Sequence, residues 1–261
     1  MKTAAIIQAR MGSTRLPNKV LMPVLGKPLL GWMLDRVATC AEVSEVIIAT
    51  TTGVRDDVIA GFAETHGCKV YRGSEEDVLD RFYQAACMVQ PDAVARITAD
   101  CPLLDPQVLG SMIREFAAGS LNFLSNSEPL PSSWPDGMDV SIVGFDALKA
   151  AWQQAVKPSD REHVTFYFWN NPQLFKCKRI EHEPDWSKYR ITIDYPEDFH
   201  MLKAIIEHFG AVDPEAVNHV PMAAIVAFLE ANPGVFGLNE KYTRGLGWKP
   251  ALDRDKHLGF E

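Results

Sequence analysis

Short runs of apolar and β-branched residues recur through the first part of the chain and predict strands. The runs span residues 3–8, 45–50, 69–72 and 93–98, and stretches with a helical spacing of apolar residues cover 29–41, 55–66, 77–90 and 106–118. Strands that alternate with helices of this length indicate βαβ units and a mostly parallel sheet with helices on both faces. Because ligands of such sheets bind beyond the carboxyl ends of the strands, we expect the loops after the four strands to line a site.

From residue 122 onward the pattern of apolar and polar positions changes. Residues 122–135 are rich in Ser, Asn and Pro, which predicts irregular chain. Strands are predicted at 137–145, 175–179 and 190–193, and helices at 146–156, from Asp160 through REHVTFYFWNN, and at 195–208. This pattern indicates an insertion that returns to the sheet. The polar, glycine-containing segment from Leu238 onward predicts a loosely held tail.

The composition is that of an ordinary globular protein, since 47% of the 261 residues are hydrophobic and 23% are charged. A net charge of -8 argues against broad nucleic-acid binding but is compatible with a locally basic pocket. The five cysteines are odd in number and form no CxxC pair, which indicates reduced thiols in a cytoplasmic protein. No apolar run suits a signal sequence or a membrane span, so we expect no membrane partner.

Three cations lie in one short loop directly after the first predicted strand, at Arg10, Arg15 and Lys19. Gly12 allows a ligand close to the backbone, whose exposed amides bind phosphate oxygens. Arginine offers forked donors, and lysine offers a compact charge that can follow a phosphate through a reaction. The loop lacks the GxxxxGK[ST] spacing of a P-loop. It therefore predicts a phosphate-binding loop of another kind, and the alternative is a basic loop in solvent.

Asp100 follows the strand at 93–98 and begins the segment DCPLLD. A carboxylate at the carboxyl end of a strand, beside a phosphate-binding loop, suits Mg²⁺ as a hard oxygen ligand. The alternative is that Asp100 caps a helix or forms a turn. The neighbouring Cys101 suits a small buried position better than a nucleophile.

The segment IIQARMGSTRLPNKVL resembles the signature loop of the cytidylyltransferases that make CMP-activated acidic sugars, including the CMP-Kdo and CMP-sialic acid synthetases. It is more similar still to the SpsF-type proteins of spore-coat polysaccharide biosynthesis. Further similar segments, which together extend over nearly the whole chain, are RITADCPLLDP, PDGMDV, REHVT, RITIDYPEDF and NEKYTRGL. The resemblance implies a three-layer α/β fold of the nucleotide-diphospho-sugar transferase type, related to that of the GT-A glycosyltransferases.

The resemblance also implies how a single domain over residues 1–261 is organised. Residues 1–120 would form the nucleotide-binding half, 121–210 the half that binds the sugar, and 211–261 a C-terminal helix and tail. The second half is rich in aromatic residues that suit either a homodimer interface or a core, among them Trp152, Phe166, Phe168 and Trp169.

Residue roles follow from the resemblance position by position. The residues implied to contact the nucleotide triphosphate are Arg10, Gly12, Ser13, Arg15 and Lys19. Arg72 and Ser74 follow the third strand, where family members recognise the base. Thr98, also assigned to the nucleotide, stands where relatives often have Gln.

The Mg²⁺ ligands implied by the resemblance are Asp100 and a late aspartate, Asp194, in the segment RITIDYPED. The alternatives for the second ligand are Asp139 of DGMDV, or a purely structural helix start around Asp194. Arg161, Glu162 and His163 either cap a helix or face the sugar or a second subunit, and His163 has the chemistry for acid–base work. The cations available for an acceptor carboxylate are Arg161, Arg179, Lys188 and Arg190.

The implied reaction transfers CMP from CTP to a sugar, with an acidic sugar expected, and releases pyrophosphate for cell-surface polysaccharide biosynthesis. One alternative is a GT-A-type glycosyltransferase, which usually carries a DxD metal motif; the single DxD of this chain lies at 253–255, in the predicted tail. Another alternative is a non-catalytic nucleotide-binding protein on the same fold. Such a protein should have lost the metal carboxylates or Lys19, and this chain has both.

Overall fold

The computed structural model describes residues 1–245 and 248–260. Its strands are β1 (Thr3–Gln8), β2 (Pro23–Val24), β3 (Lys27–Pro28), β4 (Glu45–Thr51), β5 (Lys69–Gly73), β6 (Ala93–Thr98), β7 (Phe123–Ser125), β8 (Ser141–Gly144) and β9 (Cys177–Arg179). Seven of them form one sheet in the order β5-β4-β1-β6-β8-β7-β9, and β2 and β3 form a separate antiparallel pair.

Eleven α-helices occur in the described residues. They are α1 (Leu29–Ala38), α2 (Asp57–Thr65), α3 (Val78–Cys87), α4 (Pro106–Ala118), α5 (Phe145–Gln154), α6 (Pro158–His163), α7 (Phe166–Asn170), α8 (Pro196–Phe209), α9 (Met222–Ala231), α10 (Pro233–Phe236) and α11 (Lys249–His257). Short 3₁₀ helices lie at Lys19–Leu21, Val54–Asp56 and Pro214–His219.

The first half of the sheet is built from parallel strands. β1 pairs in parallel with β4 and with β6, and β4 pairs in parallel with β5, as the alternating pattern predicts. The insertion then adds β8 antiparallel to β6 and to β7, while β9 is parallel to β7. The carboxyl ends of β1, β4 and β6 consequently meet at one edge of the sheet, where a ligand site is expected.

Both faces of the sheet are covered, which explains the nearly continuous apolar run of β1. Ala5 and Ile7 belong to a core that includes residues of α1, α4, α8 and α9, whereas Ala4 and Ile6 belong to a second core with α3, α5 and α7. Strands buried on both faces are apolar at consecutive positions rather than at alternate ones. Each fully buried isoleucine contributes about 1.5–3 kcal/mol to stability. The predicted three-layer, mostly parallel α/β fold is confirmed.

The predicted helix through REHVTFYFWNN is broken into α6 and α7. Val164 lies between them with φ of 61°, a left-handed backbone conformation that a β-branched residue rarely adopts. Asp160, the expected cap, is an internal residue of α6. Of the aromatic side chains of this part, Phe168 is fully buried, and Trp152 is partly buried and stacks on Tyr83 at 4.3 Å.

Two further expectations are wrong. The segment 190–193 forms no strand, because its backbone bonds with loops: Ile191 N–H donates to the Asp136 carbonyl and Ile193 N–H to the Asp100 carbonyl. The C-terminal segment, over its described residues 238–245 and 248–260, is held against the rest of the protein, since Asn239 is buried and Asp255 bonds with Ser159. Leu246, the last residue of the NEKYTRGL segment, lies outside the described residues.

All five cysteines are free thiols. Through residues 1–245 and 248–260 there is no helix of the length and apolarity that crossing a bilayer requires.

Candidate active site

A cavity of about 950 Å³ opens at the carboxyl ends of β1 and β6. It lies where the topology of the sheet predicts a ligand site, and its volume suits a nucleotide-sized ligand. The predicted site residues that line it are Arg10, Gly12, Ser13, Arg15, Lys19, Thr98, Asp100 and Asp194. The fold therefore brings together residues separated by more than half the length of the chain.

The loop after β1 is folded tightly by its own backbone. Met11 accepts the backbone N–H of Ser13 and of Asn18, at 2.9 and 3.3 Å, and its own N–H donates to the buried Asp56 carboxylate at 2.7 Å. Asn18 adopts a left-handed conformation with φ of 61° and starts the 3₁₀ turn that begins at Lys19. This turn directs the Lys19 side chain into the cavity.

Lys19 connects the two aspartates that were predicted to bind metal. Its ammonium nitrogen donates to Asp194 Oδ1 at 2.9 Å, to Asp100 Oδ2 at 3.4 Å and to the Ile193 carbonyl at 2.7 Å. All three of its protons therefore have acceptors. Asp100 and Asp194 thus converge on one point, although they are far apart in sequence.

Burial by itself would lower the pKa of Lys19, but the carboxylates of Asp100 and Asp194 outweigh burial and raise it. Burial likewise favours a higher pKa for Asp100, and the Lys19 ammonium overcomes this and lowers it. The pair is therefore charged at neutral pH. An opposite charge at this distance stabilises the ionised form of both groups.

The backbone explains why the two aspartates meet. The Asp100 carbonyl accepts the Thr192 hydroxyl at 2.8 Å and the Ile193 N–H at 2.9 Å, which ties the segment before Asp194 to the end of β6. The Asp194 N–H then donates to Asp198 Oδ2 at 2.8 Å. The Asp194 carboxylate is also contacted by Arg15 at 2.6 Å.

A buried charge network supports Asp194 from behind. Arg190 donates to both oxygens of Asp198 at 2.9 Å, to Asp136 at 2.6 Å and to Asp194 at 3.2 Å. Burial opposes the charge of Arg190, but these three carboxylates raise the pKa of its guanidinium. Asn239 completes the network with a 2.7 Å bond to Asp198. The sequence analysis did not predict this role of Arg190. The available signal was Asp198, two positions after Pro196 in the segment DYPED, because an acidic residue there is typical of the first turn of a helix.

Asp136 and Asp139, from the segment PDGMDV, form a second acidic pair in the cavity. Burial and the adjacent Asp139 carboxylate raise the pKa of Asp136 to about 7, against the opposing charges of Arg244 and Arg190. Arg244 forms an ion pair with Asp139. Gly137 between them has φ of 105°, and a Cβ there would clash with the Ile191 carbonyl, so this turn requires glycine.

The outer part of the cationic loop faces Glu75. Arg10 contacts this carboxylate at 3.2 Å and Arg55 contacts it at 2.5 Å. The Arg55 guanidinium also fills the space that a side chain at Gly12 would occupy, within 2.5 Å of the Cβ position. Gly12 thus allows Arg55 and the cationic loop to approach each other.

Arg72 and Ser74 are not brought to the cavity. Arg72 donates to the backbone carbonyls of Thr51 and Gly53, at 2.9 and 3.0 Å, and pairs with Asp57 at 2.7 Å. The Ser74 hydroxyl accepts backbone N–H groups at the start of α3. The expected contact of these two residues with the base stays a prediction.

The cluster of Arg161, Glu162 and His163 divides into two roles. Arg161 donates to both oxygens of Asp77, which is the N-cap of α3, at 3.0 and 3.1 Å. It therefore holds α6 against α3. Glu162 and His163 line the cavity.

Comparison with known proteins identifies the family. The family model described as Cytidylyltransferase matches residues 4–223. The chain belongs to the cytidylyltransferase family. The spore coat polysaccharide biosynthesis protein SpsF of Bacillus subtilis is 35% identical to it over 237 residues, which are 87% of this chain and 94% of that protein.

Solved structures agree with this assignment. A cytidylyltransferase from Leptospira borgpetersenii is similar with a TM-score of 0.84 and 33% identity, over 93% of this chain and 98% of that chain. The structure of CMP:2-keto-3-deoxy-manno-octonic acid synthetase in complex with CTP is similar with a TM-score of 0.60 and 18% identity. The similarity covers 80% of this chain and 99% of that chain, and it shows that the two proteins share a fold. The resemblance stated from the segment IIQARMGSTRLPNKVL, and the enzyme class that it implies, are confirmed.

Proposed function

We propose that this cytidylyltransferase transfers CMP from CTP to an acidic sugar and releases pyrophosphate, in the biosynthesis of a surface polysaccharide. The convergence of Lys19, Asp100 and Asp194 carries the proposal, because it joins a phosphate-binding cation to two carboxylates in a nucleotide-sized cavity. The similarity to SpsF supports the polysaccharide pathway, and CTP in the related synthetase structure supports the nucleotide.

Asp100 and Asp194 are the residues that would hold Mg²⁺. Their carboxylates face one point, now reached by the Lys19 ammonium, and Mg²⁺ in nucleotide sites is typically held by one or two carboxylates with substrate phosphates as further ligands. No group of three or more candidate metal-binding side chains occurs in the described part of the chain, which agrees with a site completed by substrate. When bound, Mg²⁺ would neutralise charge on the phosphates.

The side chains of this chain would then divide the remaining tasks. Arg10 and Arg15, with the backbone at Gly12 and Ser13, would hold the β- and γ-phosphates, while Lys19 would follow the α-phosphate. An acceptor hydroxyl would attack the α-phosphorus in line, forming a new P–O bond as the bond to the pyrophosphate breaks. The hydroxyl proton would leave to solvent or to a cavity carboxylate. Positioning and charge stabilisation would supply most of the catalysis, without a covalent enzyme intermediate.

The DxD segment at 253–255 is the one sequence motif that would suit a glycosyltransferase, and its contacts are structural. Asp255 of the DxD segment is buried and accepts two hydrogen bonds from Ser159, so its carboxylate is committed to holding α11.

The test is pyrophosphate release during incubation with CTP, Mg²⁺ and a panel of acidic and neutral sugars, with ATP, GTP and UTP in parallel. We expect release with CTP and an acidic sugar, and a loss of about 100-fold or more in kcat for Lys19→Ala and Asp100→Ala. Lys203→Ala, which removes an exposed cation on α8, is the matched control. Near-normal turnover of Lys19→Ala in a folded sample, or no release with any acceptor, would contradict the proposed function.

A further inference from the structure

Five buried side-chain atoms without a hydrogen-bond partner belong to residues that line the active-site cavity. They are Gln8 Oε1, Arg81 Nε, Arg96 Nε, Glu128 Oε2 and His163 Nε2. Leaving a buried polar atom without a partner is unfavourable, because the atom loses its hydrogen bonds to water and gains none in the protein, so native proteins keep such atoms few. Their concentration around one cavity indicates atoms that a bound ligand partners.

Arg96 and His163 are two of these residues, and the charge of Arg96 acts on the His163 imidazole across the cavity that both line. Arg96 lies over the Phe82 ring at 5.9 Å and forms no ion pair within residues 1–245 and 248–260. Burial, followed by the charges of Arg96 and Arg254, lowers the pKa of His163 to about 4. The imidazole is therefore neutral at pH 7 and offers a ligand one donor or one acceptor beside a guanidinium.

Arg254 reaches the same cavity from α11, outside the residues 4–223 that the family model matches. Ser159 donates its N–H at 3.0 Å, and its hydroxyl, to the buried Asp255, which fixes α11 against α6. Trp248, just before α11, packs edge-on against Phe166 at 5.3 Å. The C-terminal helix thereby forms part of the cavity wall, and Arg254 pairs there with Glu162 at 3.0 Å.

We propose that Arg96 and Arg254, together with His163, bind the carboxylate of the acceptor, so that the C-terminal helix takes part in acceptor specificity. This inference rests on the proposed function, and it names the residues that select the sugar. Of the other cations considered for this role, Arg161, Arg179 and Lys188 are not among the residues that line the cavity, and three of the four are held by acidic residues. Arg161 is held by Asp77, Arg179 by Glu181, and Arg190 by three aspartates.

The charge balance favours a carboxylate over a phosphate. Arg96 has one uncompensated positive charge, and the charge of Arg254 is shared with Glu162. A carboxylate matches this one charge, and the neutral His163 adds a hydrogen bond to it without adding charge. A phosphate dianion has a second negative charge, so Glu128 and Glu162, which line the same cavity, would repel it more strongly than a carboxylate.

Direct binding tests the proposal independently of turnover. Thermal shift and calorimetry would measure the binding of 3-deoxy-manno-octulosonate and N-acetylneuraminate to the full chain, with glucose 1-phosphate as the phosphate probe. We expect a sugar acid to bind the wild type, and Arg96→Gln and Arg254→Gln to weaken that binding at least tenfold. Stabilisation by CTP and Mg²⁺ should be unchanged in both variants.

Lys256→Gln is the matched control, because it removes the same charge from an exposed position of α11. Where turnover is measurable, Arg96→Gln and Arg254→Gln should raise the acceptor KM and leave the KM for CTP unchanged. Failure of both sugar acids to bind the wild type, equal binding to the Arg96→Gln variant, or binding of glucose 1-phosphate alone would overturn the inference. Arginine-dependent binding without pyrophosphate release would support it while contradicting the proposed function.

Discussion

The Arg190 guanidinium donates to both oxygens of Asp198, at 2.9 Å each, inside the protein. The same Asp198 carboxylate accepts the backbone N–H groups of Asp194 and Tyr195 at 2.8 and 2.9 Å, at the start of α8. Asp198 therefore positions Asp194 opposite Asp100 without reaching the cavity itself.

Replacing Asp198 with asparagine should damage stability and activity together. The NH2 group of the asparagine would replace a carboxylate oxygen that now accepts at least two hydrogen bonds, and it cannot accept either of them. Arg190 would also lose the charge of its main partner. Breaking a buried ion pair in this way costs about 3–5 kcal/mol. Urea unfolding would measure the loss, and kcat should fall more than the KM for CTP. Glu240→Gln, at an exposed position next to Asn239, should change little; equal effects of the two substitutions would refute the positioning role.

Lys19 and a divalent cation should compete for the same two carboxylates when no nucleotide is bound. Two unit charges about 4 Å apart interact with an energy of about 4 kcal/mol at the effective dielectric of a protein surface, and the Lys19 ammonium therefore opposes a cation at this position. Lys19→Met removes that repulsion and should tighten Mn²⁺ or Mg²⁺ binding by about tenfold or more. Calorimetry without nucleotide would measure the affinity. The double variant Lys19→Met, Asp100→Asn should lose the gain, and unchanged affinity in Lys19→Met would place the metal elsewhere.

His163 should remain neutral far below the ordinary pKa of histidine. Burial, with the charges of Arg96 and Arg254, holds its pKa at about 4 in the folded state, whereas the unfolded value is 6.5. The stability associated with the neutral imidazole is present above pH 6.5 and is lost as the pH falls toward 4, by up to about 1.4 kcal/mol per pH unit.

NMR titration of the His163 imidazole would show the depressed pKa directly. Urea unfolding of His163→Gln between pH 7 and 5 should be less dependent on pH than that of the wild type. His200→Gln, at an exposed position of α8, serves as the control. An imidazole that titrates near 6.5 would show that the site is open to water.

Arg161→Lys should weaken the contact between α6 and α3 without affecting the chemistry. The guanidinium bonds with both oxygens of Asp77 and with the Trp152 carbonyl at 2.8 Å, and a lysine cannot reproduce this planar set of donors. The free energy of unfolding should fall by about 1–2 kcal/mol. The KM for CTP should be measured on the same variant, and a large change in it would assign Arg161 to the nucleotide site instead.

Much of the fold follows from local pattern. The strands at 3–8 and 93–98 and the helix at 106–118 have the bounds that the sequence predicts, because their ends are marked by polar residues, by Asp105 as N-cap and by Pro106. The break at Val164 and the absence of a strand at 190–193 could not be predicted in this way. The segment 190–193 depends on backbone partners that are distant in sequence, the carbonyls of Asp136 and Asp100, whereas the bonds around Val164 are local and no residue type in the segment marks the break.

In the candidate site, the cationic loop, the carboxylate at the end of β6 and the family to which they belong are all legible in the amino-acid sequence. The folded chain adds that Lys19 lies between Asp100 and Asp194, that Arg72 and Ser74 are not among the residues lining the cavity, and that Arg254 is. The physical reason is distance along the chain. Local composition fixes which charges a loop carries, whereas the charge that each one meets depends on where the strands and the C-terminal helix pack.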